Sequence, residues 1–81
     1  MNENVLLVEM LRMHEAGESL SIAFATEHYE GLKHLWEQRL SCYDVTKMVN
    51  GRVRARRVFL GVLTPIGLEK AKTLKLAGDL P

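Results

Sequence analysis

Residues 43–64 read YDVTKMVNGRVRARRVFLGVLT, and the rest of the chain is interpreted around this stretch. Two runs containing Tyr, Val and Thr flank the dipeptide Asn50-Gly51. Asn-Gly favours a two-residue type I′ turn, because both of its central positions require positive φ. The stretch is therefore predicted to form a β-hairpin with a two-residue loop.

This loop also sets a predicted register, in which Lys47 lies opposite Arg54 and Asp44 lies opposite Arg57. One face of the hairpin is then apolar at its base, and its members are Tyr43, Val45, Val58, Leu60 and Val62. Toward the tip the same face carries Lys47, Arg54 and Arg56. We expect the base to pack on the core and the tip to project into solvent.

Positive charge is concentrated in this hairpin. The chain as a whole has a formal net charge of only +1. Residues 47–57 nevertheless contain five basic side chains and no acidic one, whereas residues 1–30 contain six Glu and one Arg. This asymmetry predicts a local positive surface that faces an anionic partner, rather than a generally basic protein.

The length of the chain predicts one small domain over residues 1–81. Its core is expected over about residues 3–76, followed by a loose C-terminal tail. The single cysteine, Cys42, excludes an intramolecular disulfide, so nothing indicates secretion. The first residues lack the basic start of a signal peptide, and no apolar run is long enough to span a membrane. We expect a soluble, cytoplasmic protein with no membrane partner.

Three helices are predicted outside the hairpin. The first covers residues 3–16 and ends before Gly17, and the second runs from Thr26, as N-cap, to Leu40. The third begins at Thr64-Pro65, with Thr as N-cap and Pro in the first turn. Its expected buried side chains are Ile66, Leu68, Ala71 and Leu74. Residues 18–25 alternate apolar and polar side chains and fit a short strand or a short helix equally well.

Three segments follow one another in an order typical of one superfamily. They are EGLKHLWEQRL at residues 30–40, YDVTKMVNGRVRARRVFLGV at residues 43–62 and VLTPIGLEKAK at residues 62–72. Over roughly residues 4–76 the chain resembles the winged helix-turn-helix domains of small transcriptional regulators. The segments would be the recognition helix, the wing and the helix that leads out of the wing. The resemblance implies an α+β fold, winged-helix-like, of three helices with a two- or three-stranded antiparallel β-hairpin wing. It also implies DNA binding and transcription regulation.

The leading functional hypothesis is contact with duplex DNA through the wing. Lys and Arg neutralise phosphates and release counterions, and an arginine-bearing loop can enter the minor groove. The DNA-binding candidates in the hairpin are Lys47, Arg52, Arg54 and Arg56. The candidates on the second helix, where Gln can pair with adenine edges, are Lys33, His34 and Gln38. The competing interpretation is a solvated hairpin whose charges protect an exposed strand edge.

A second functional hypothesis comes from the second helix, whose outer face carries Glu27, Glu30 and Glu37. Phosphate groups would repel these carboxylates. The chain would then be a protein-binding adaptor or inhibitor module that docks an acidic protein partner on its arginine hairpin. A homodimer is the other expected assembly, with the first or the last helix making the contact.

Neither a metal site nor a catalytic site is expected. The soft ligands are His14, His28, His34 and Cys42, and they lack the spacing of a local metal clamp. No third group orients a Cys–His pair, and Gly-rich phosphate loops are absent from the sequence. We therefore predict no enzyme activity and no cofactor, and interpret Cys42 as a small buried apolar residue.

Overall fold

Four helices and one antiparallel hairpin make up the computed structural model, which describes residues 2–77. In chain order the elements are α1 (Glu3–Glu15), α2 (Ile22–Glu27), α3 (Tyr29–Glu37), β1 (Tyr43–Lys47), β2 (Val53–Arg57) and α4 (Pro65–Ala77). The predicted α+β class is confirmed, but this part of the chain has four helices instead of three. None of the helices within residues 2–77 combines the length and the hydropathy needed to cross a membrane. The predicted C-terminal tail lies outside the described residues.

The first helix has the predicted bounds to within one residue. The side chain of Asn2 accepts a hydrogen bond from the backbone N–H of Val5 at 2.8 Å, which satisfies one of the free donors at the start of α1. Gly17 follows the helix with φ +71, a conformation that glycine adopts without steric cost. The apolar side of α1 supplies much of the core, through Leu6, Leu7, Met10, Leu11 and Met13.

Of residues 18–25, which fit a strand or a helix by their pattern, residues 22–25 lie in helix α2. Ser21 caps α2, because its side chain accepts a hydrogen bond from the N–H of Phe24 at 3.1 Å. Ala25 is fully buried, and Phe24 packs against the core from the edge. This short helix is the fourth one, and the pattern of alternating residues did not decide between it and a strand.

The prediction of one continuous helix from Thr26 to Leu40 is wrong. The chain leaves helical geometry at His28, with φ −114 and ψ 29, and this residue separates α2 from α3. Thr26 does not cap a helix, since its hydroxyl donates to the carbonyl of Ile22 at 2.7 Å inside α2.

The hairpin forms with a three-residue loop instead of the predicted two-residue loop. The N–H of Met48 donates to the carbonyl of Arg52 at 2.7 Å, so residues 49–51 connect the two strands. Gly51 has φ +85, whereas Asn50 does not have a positive φ. A type I′ turn requires positive φ at both central residues, but a three-residue loop requires it only at the final glycine.

The longer loop shifts the register by one residue. Lys47 pairs with Val53 and not with Arg54, and Asp44 pairs with Arg56 and not with Arg57. Because partners in register share a face, the shift exchanges the core side and the solvent side of β2. The core side of the hairpin consists of Tyr43, Val45, Val53 and Ala55.

Two residues expected at the packed base of the hairpin are exposed as a consequence. Val58 is 40% exposed and Leu60 is 92% exposed, whereas Val62 is buried as predicted. Both exposed residues follow the end of β2, where the chain turns away from the sheet.

The last helix begins as predicted. The hydroxyl of Thr64 accepts from the N–H of Gly67 at 3.1 Å and donates to the carbonyl of Arg39 at 2.7 Å, so one side chain caps α4 and ties it to the turn after α3. Ala71 is buried, while Ile66 is 64% exposed and does not belong to the buried face. Gly67 takes its place, lying directly against the backbone carbonyl of Leu40.

Candidate nucleic-acid interface

Three arginines share the solvent side of the hairpin. Arg54 and Arg56 alternate along β2 with the inward-facing Val53 and Ala55, and Arg52 continues the same alternation beside the loop. All three arginines are exposed. Residues two apart on a strand are separated by about 6.6 Å, so the three form a row. None of the ion pairs formed within residues 2–77 includes a member of this row.

Lys47 lies on the other side of the hairpin, and the shared face predicted for Lys47, Arg54 and Arg56 is therefore wrong. Its ammonium nitrogen Nζ is 4.8 Å from the centroid of the Tyr29 ring. Nζ of Lys33, on α3, is 6.0 Å from the same centroid. Tyr29 thus brings one cation of the helix and one of the hairpin to a common aromatic surface, a geometry typical of cation–π contacts.

His34 and Gln38 form a polar network with the start of α1. Nδ1 of His34 lies 2.9 Å from Oε2 of Glu3, and Nε2 of Gln38 lies 2.8 Å from Nε2 of His34. A neutral imidazole that donates from Nδ1 and accepts at Nε2 satisfies both partners. Of these two residues predicted to face a groove, His34 is therefore engaged with a carboxylate and Gln38 with the ring of His34.

The fifth basic residue of the hairpin, Arg57, has a different role. Its Nε and Nη2 donate to the hydroxyl oxygen of Tyr43 at 3.0 and 2.6 Å, and Nη2 also donates to Oγ of Ser19 at 3.1 Å. The same tyrosine oxygen accepts from the backbone N–H of Leu20 at 3.2 Å. Arg57 consequently joins the sheet to the segment before α2 and is not part of the exposed row.

A second exposed surface is apolar, and the sequence interpretation missed it. A groove of about 750 Å³ is lined by apolar side chains that include Trp36, Phe59, Leu60 and Ile66. The rings of Trp36 and Phe59 are 6.5 Å apart between centroids. The alternation of arginine with Val53 and Ala55 was the signal that could have revealed it. Because that alternation turns Val53 toward the core, the apolar residues that directly follow Arg57 are not needed to fill the core and stay exposed.

Known proteins do not assign this chain to a family. Comparisons with protein-family models, with curated proteins and with solved structures found no match to the chain. Function is therefore inferred from the arrangement of the side chains.

The residues that could carry other chemistry have structural roles. Cys42 is buried as predicted, its Sγ donates to the carbonyl of Leu60 at 3.4 Å, and desolvation raises the pKa of its thiol. A buried thiol with a raised pKa is a poor nucleophile. Nδ1 of His14 accepts from the N–H groups of Val62 and Leu63 at 3.0 and 3.3 Å. Within residues 2–77 no three His, Cys, Asp or Glu side chains gather as metal ligands.

Proposed function

We propose that this chain is a non-enzymatic, winged-helix-like regulator that binds duplex DNA mainly through its basic hairpin. The observation that carries the proposal is the exposed row of Arg52, Arg54 and Arg56, which makes no ion pair within residues 2–77. Asp44 lies opposite Arg56 in the register, but no ion pair joins them within residues 2–77. Guanidinium groups outside ion pairs can bind phosphate in bidentate geometry. A row of three such groups can follow a phosphate backbone and displace its counterions.

The order of the elements supports the winged-helix-like assignment. Three helices, α1 to α3, precede the hairpin, and a helix started by Thr64-Pro65 follows it. The helix pair α2 and α3 meets at His28, in the place of the helix-turn-helix. The segment 18–25, which fits either type of element by its pattern, supplies most of α2 and so completes the expected pair.

The surroundings of α3 favour the hairpin over the helix as the main contact. Glu30 and Glu37 are exposed on α3, and His34 is paired with Glu3. Carboxylates are repelled by phosphates, so a deep approach of this helix to the major groove is unfavourable. Lys33, next to Lys47 on the Tyr29 ring, is the residue through which α3 would add a phosphate contact.

Binding of this kind is expected to depend weakly on sequence. Phosphate contacts fix the position of a protein on the duplex but carry no base information, and the hairpin offers arginines instead of a base-reading helix. Any preference would arise from groove width, because a narrow minor groove attracts inserted arginine.

A salt titration tests the proposal directly. Anisotropy of a labelled random-sequence duplex should show binding at about 50 mM salt that weakens steeply by about 200 mM. The plot of log K against log salt should fall with a slope of roughly −0.9 for each phosphate contacted. Absence of binding at the lowest salt concentration would overturn the proposal.

One observation favours a second candidate, a protein-binding module with an acidic partner. A groove between α2 and the hairpin places the exposed apolar side chains of Ile22 and Met48 beside Arg52 and Arg54. A partner with both carboxylates and apolar side chains fits such a surface. Its carboxylate–arginine contacts would be screened by salt, but its apolar contacts would not, so the affinity should fall less steeply across the same salt range than the affinity for DNA.

A further inference from the structure

We propose that the apolar groove beside Trp36 and Phe59 is part of a homodimer interface, in which this surface packs against the same surface of a second copy of this chain. The proposal concerns a surface that lies outside the arginine row, and it stands whether or not the hairpin binds DNA. Residues after β2 and in the first turn of α4 form it, together with the end of α3. The predicted dimer contact was the first or the last helix, and this surface includes only the first turn of the last helix.

The exposure of the groove is the first argument. Phe59 is 57% exposed and stands next in sequence to Leu60, and Ile66 is exposed across the same groove. Single apolar side chains on a surface are ordinary, but a contiguous apolar patch around an aromatic anchor is typical of protein interfaces. The half-buried ring of Trp36 extends the patch toward the helices.

The backbone beneath these side chains is fixed, which is the second argument. The carbonyl of Cys42 accepts from the N–H of Val58 at 2.8 Å, and the N–H of Cys42 donates to the carbonyl of Val62 at 2.9 Å. The thiol of Cys42 donates to the carbonyl of Leu60. Phe59 and Leu60 are thus held outward by a turn that is bonded on both sides. Docking onto such a turn costs little conformational entropy.

The charges of the groove identify the occupant. Glu37 and Arg39 both line it, and neither takes part in an ion pair within residues 2–77. In a two-fold contact, a residue i that meets residue j of the partner copy implies that j also meets i, so a pairing of Glu37 with Arg39 of the other copy occurs twice. A peptide of one charge sign would match only one of the two side chains. A second copy matches both.

Sedimentation equilibrium over a concentration series tests the proposal without DNA. The wild type should shift from the 9.2 kDa monomer toward twice that mass as concentration rises. Leu60→Asp should weaken self-association by about tenfold or more, because it places an unpaired charge in the desolvated centre of the contact. Leu60 is almost fully exposed in the monomer, so circular dichroism should show an unchanged fold.

Two sets of variants make the result specific. Ile22→Asp is the control, because Ile22 is an exposed apolar residue that lies outside the groove, and it should leave the dimer intact. Glu37→Arg and Arg39→Glu should each weaken the dimer, and the double exchange should restore it. A monomer at every concentration, or a dimer that Leu60→Asp leaves unchanged, would overturn the proposal. Neither result bears on DNA binding by the hairpin.

Discussion

The guanidinium of Arg57 donates two hydrogen bonds to the hydroxyl oxygen of Tyr43, from Nε at 3.0 Å and from Nη2 at 2.6 Å. The centre of the guanidinium also lies 5.2 Å from the centroid of that ring. Arg57 is thereby separated in function from Arg54, which stands three residues earlier and points into solvent. Arg54 and Arg57 are both exposed, but of the two only Arg57 is held by hydrogen bonds to Tyr43 and Ser19.

This difference predicts unequal effects on stability. Arg57→Ala should lower the free energy of unfolding by about 1–2 kcal/mol, because it removes charged hydrogen bonds that are partly shielded from water. Arg54→Ala is the matched control and should change it by less than about 0.5 kcal/mol. Urea denaturation of both variants measures the difference. Equal effects would show that Arg57 has no structural role.

Gly67, in the first turn of α4, should be the small residue whose substitution destabilises the fold most. A Cβ at Gly67 would overlap the carbonyl oxygen of Leu40, and backbone on both sides prevents an easy adjustment. Gly67→Ala should therefore cost more than about 2 kcal/mol of stability, as overpacking does.

Gly31→Ala provides the comparison. There a Cβ would meet only Cδ2 of Leu6 at 2.8 Å, the far end of a flexible side chain. Replacing a helical glycine by alanine gains up to about 1 kcal/mol of helix propensity, which offsets the adjustment of Leu6. We expect a net change within about 1 kcal/mol in thermal or urea unfolding. A Gly31 variant that is less stable than the Gly67 variant would contradict this ranking.

His14 is predicted to stabilise the turn before α4. His14→Ala would leave the N–H groups of Val62 and Leu63 without their acceptor, at a cost of about 1–3 kcal/mol for the buried donors. His34→Ala, at an exposed histidine, should cost much less. Hydrogen exchange should report faster exchange at Val62 and Leu63 in the first variant only. Unchanged exchange at these amides would exclude the proposed role of the imidazole.

The buried thiol of Cys42 predicts a pH effect with a definite sign. Desolvation raises the pKa of Cys42 above its ordinary value of 9.0, so the folded state keeps its proton when the unfolded state has lost it. This contribution to stability is fully present below the ordinary thiol pKa and is lost as pH rises past it. Between pH 7 and 10 the wild type should lose more stability than Cys42→Ala.

Thiol labelling independently measures how well the fold shields Cys42 from solvent. An alkylating reagent should react with native protein far more slowly than with protein in urea, because the thiolate is both scarce and inaccessible. A native labelling rate close to that of a free thiol would contradict the buried position of Cys42.

Local chemistry made parts of the fold predictable from the sequence. Thr64-Pro65 starts α4 because a hydroxyl cap and a missing N–H act within one turn, whatever the rest of the chain does. Gly17 ends α1 for a similarly local reason. The break at His28 was not predictable in this way, since histidine is no helix breaker and no glycine or proline stands at that position.

The hairpin shows where the local argument fails. Gly51 has the positive φ that both a two-residue and a three-residue loop require, so the dipeptide Asn-Gly does not select between them. The choice depends on which side chains of β2 reach the core, and the burial of Val53 decides it. The exposed arginine row could be found from the sequence, whereas the Trp36–Phe59 groove depended on this register.

The most direct test of the proposed function compares two triple variants in the DNA salt titration. Replacing Arg52, Arg54 and Arg56 by Ala should flatten the slope of log K against log salt by about 0.9 for each phosphate that the variant no longer binds, while the thermal midpoint stays nearly unchanged. The matched control replaces Lys70, Lys72 and Lys75, three exposed cations of α4, by Ala and alters the net charge equally. The control should keep the wild-type slope, and the arginine variant should have a much flatter one. Equal slopes for the two variants would contradict it.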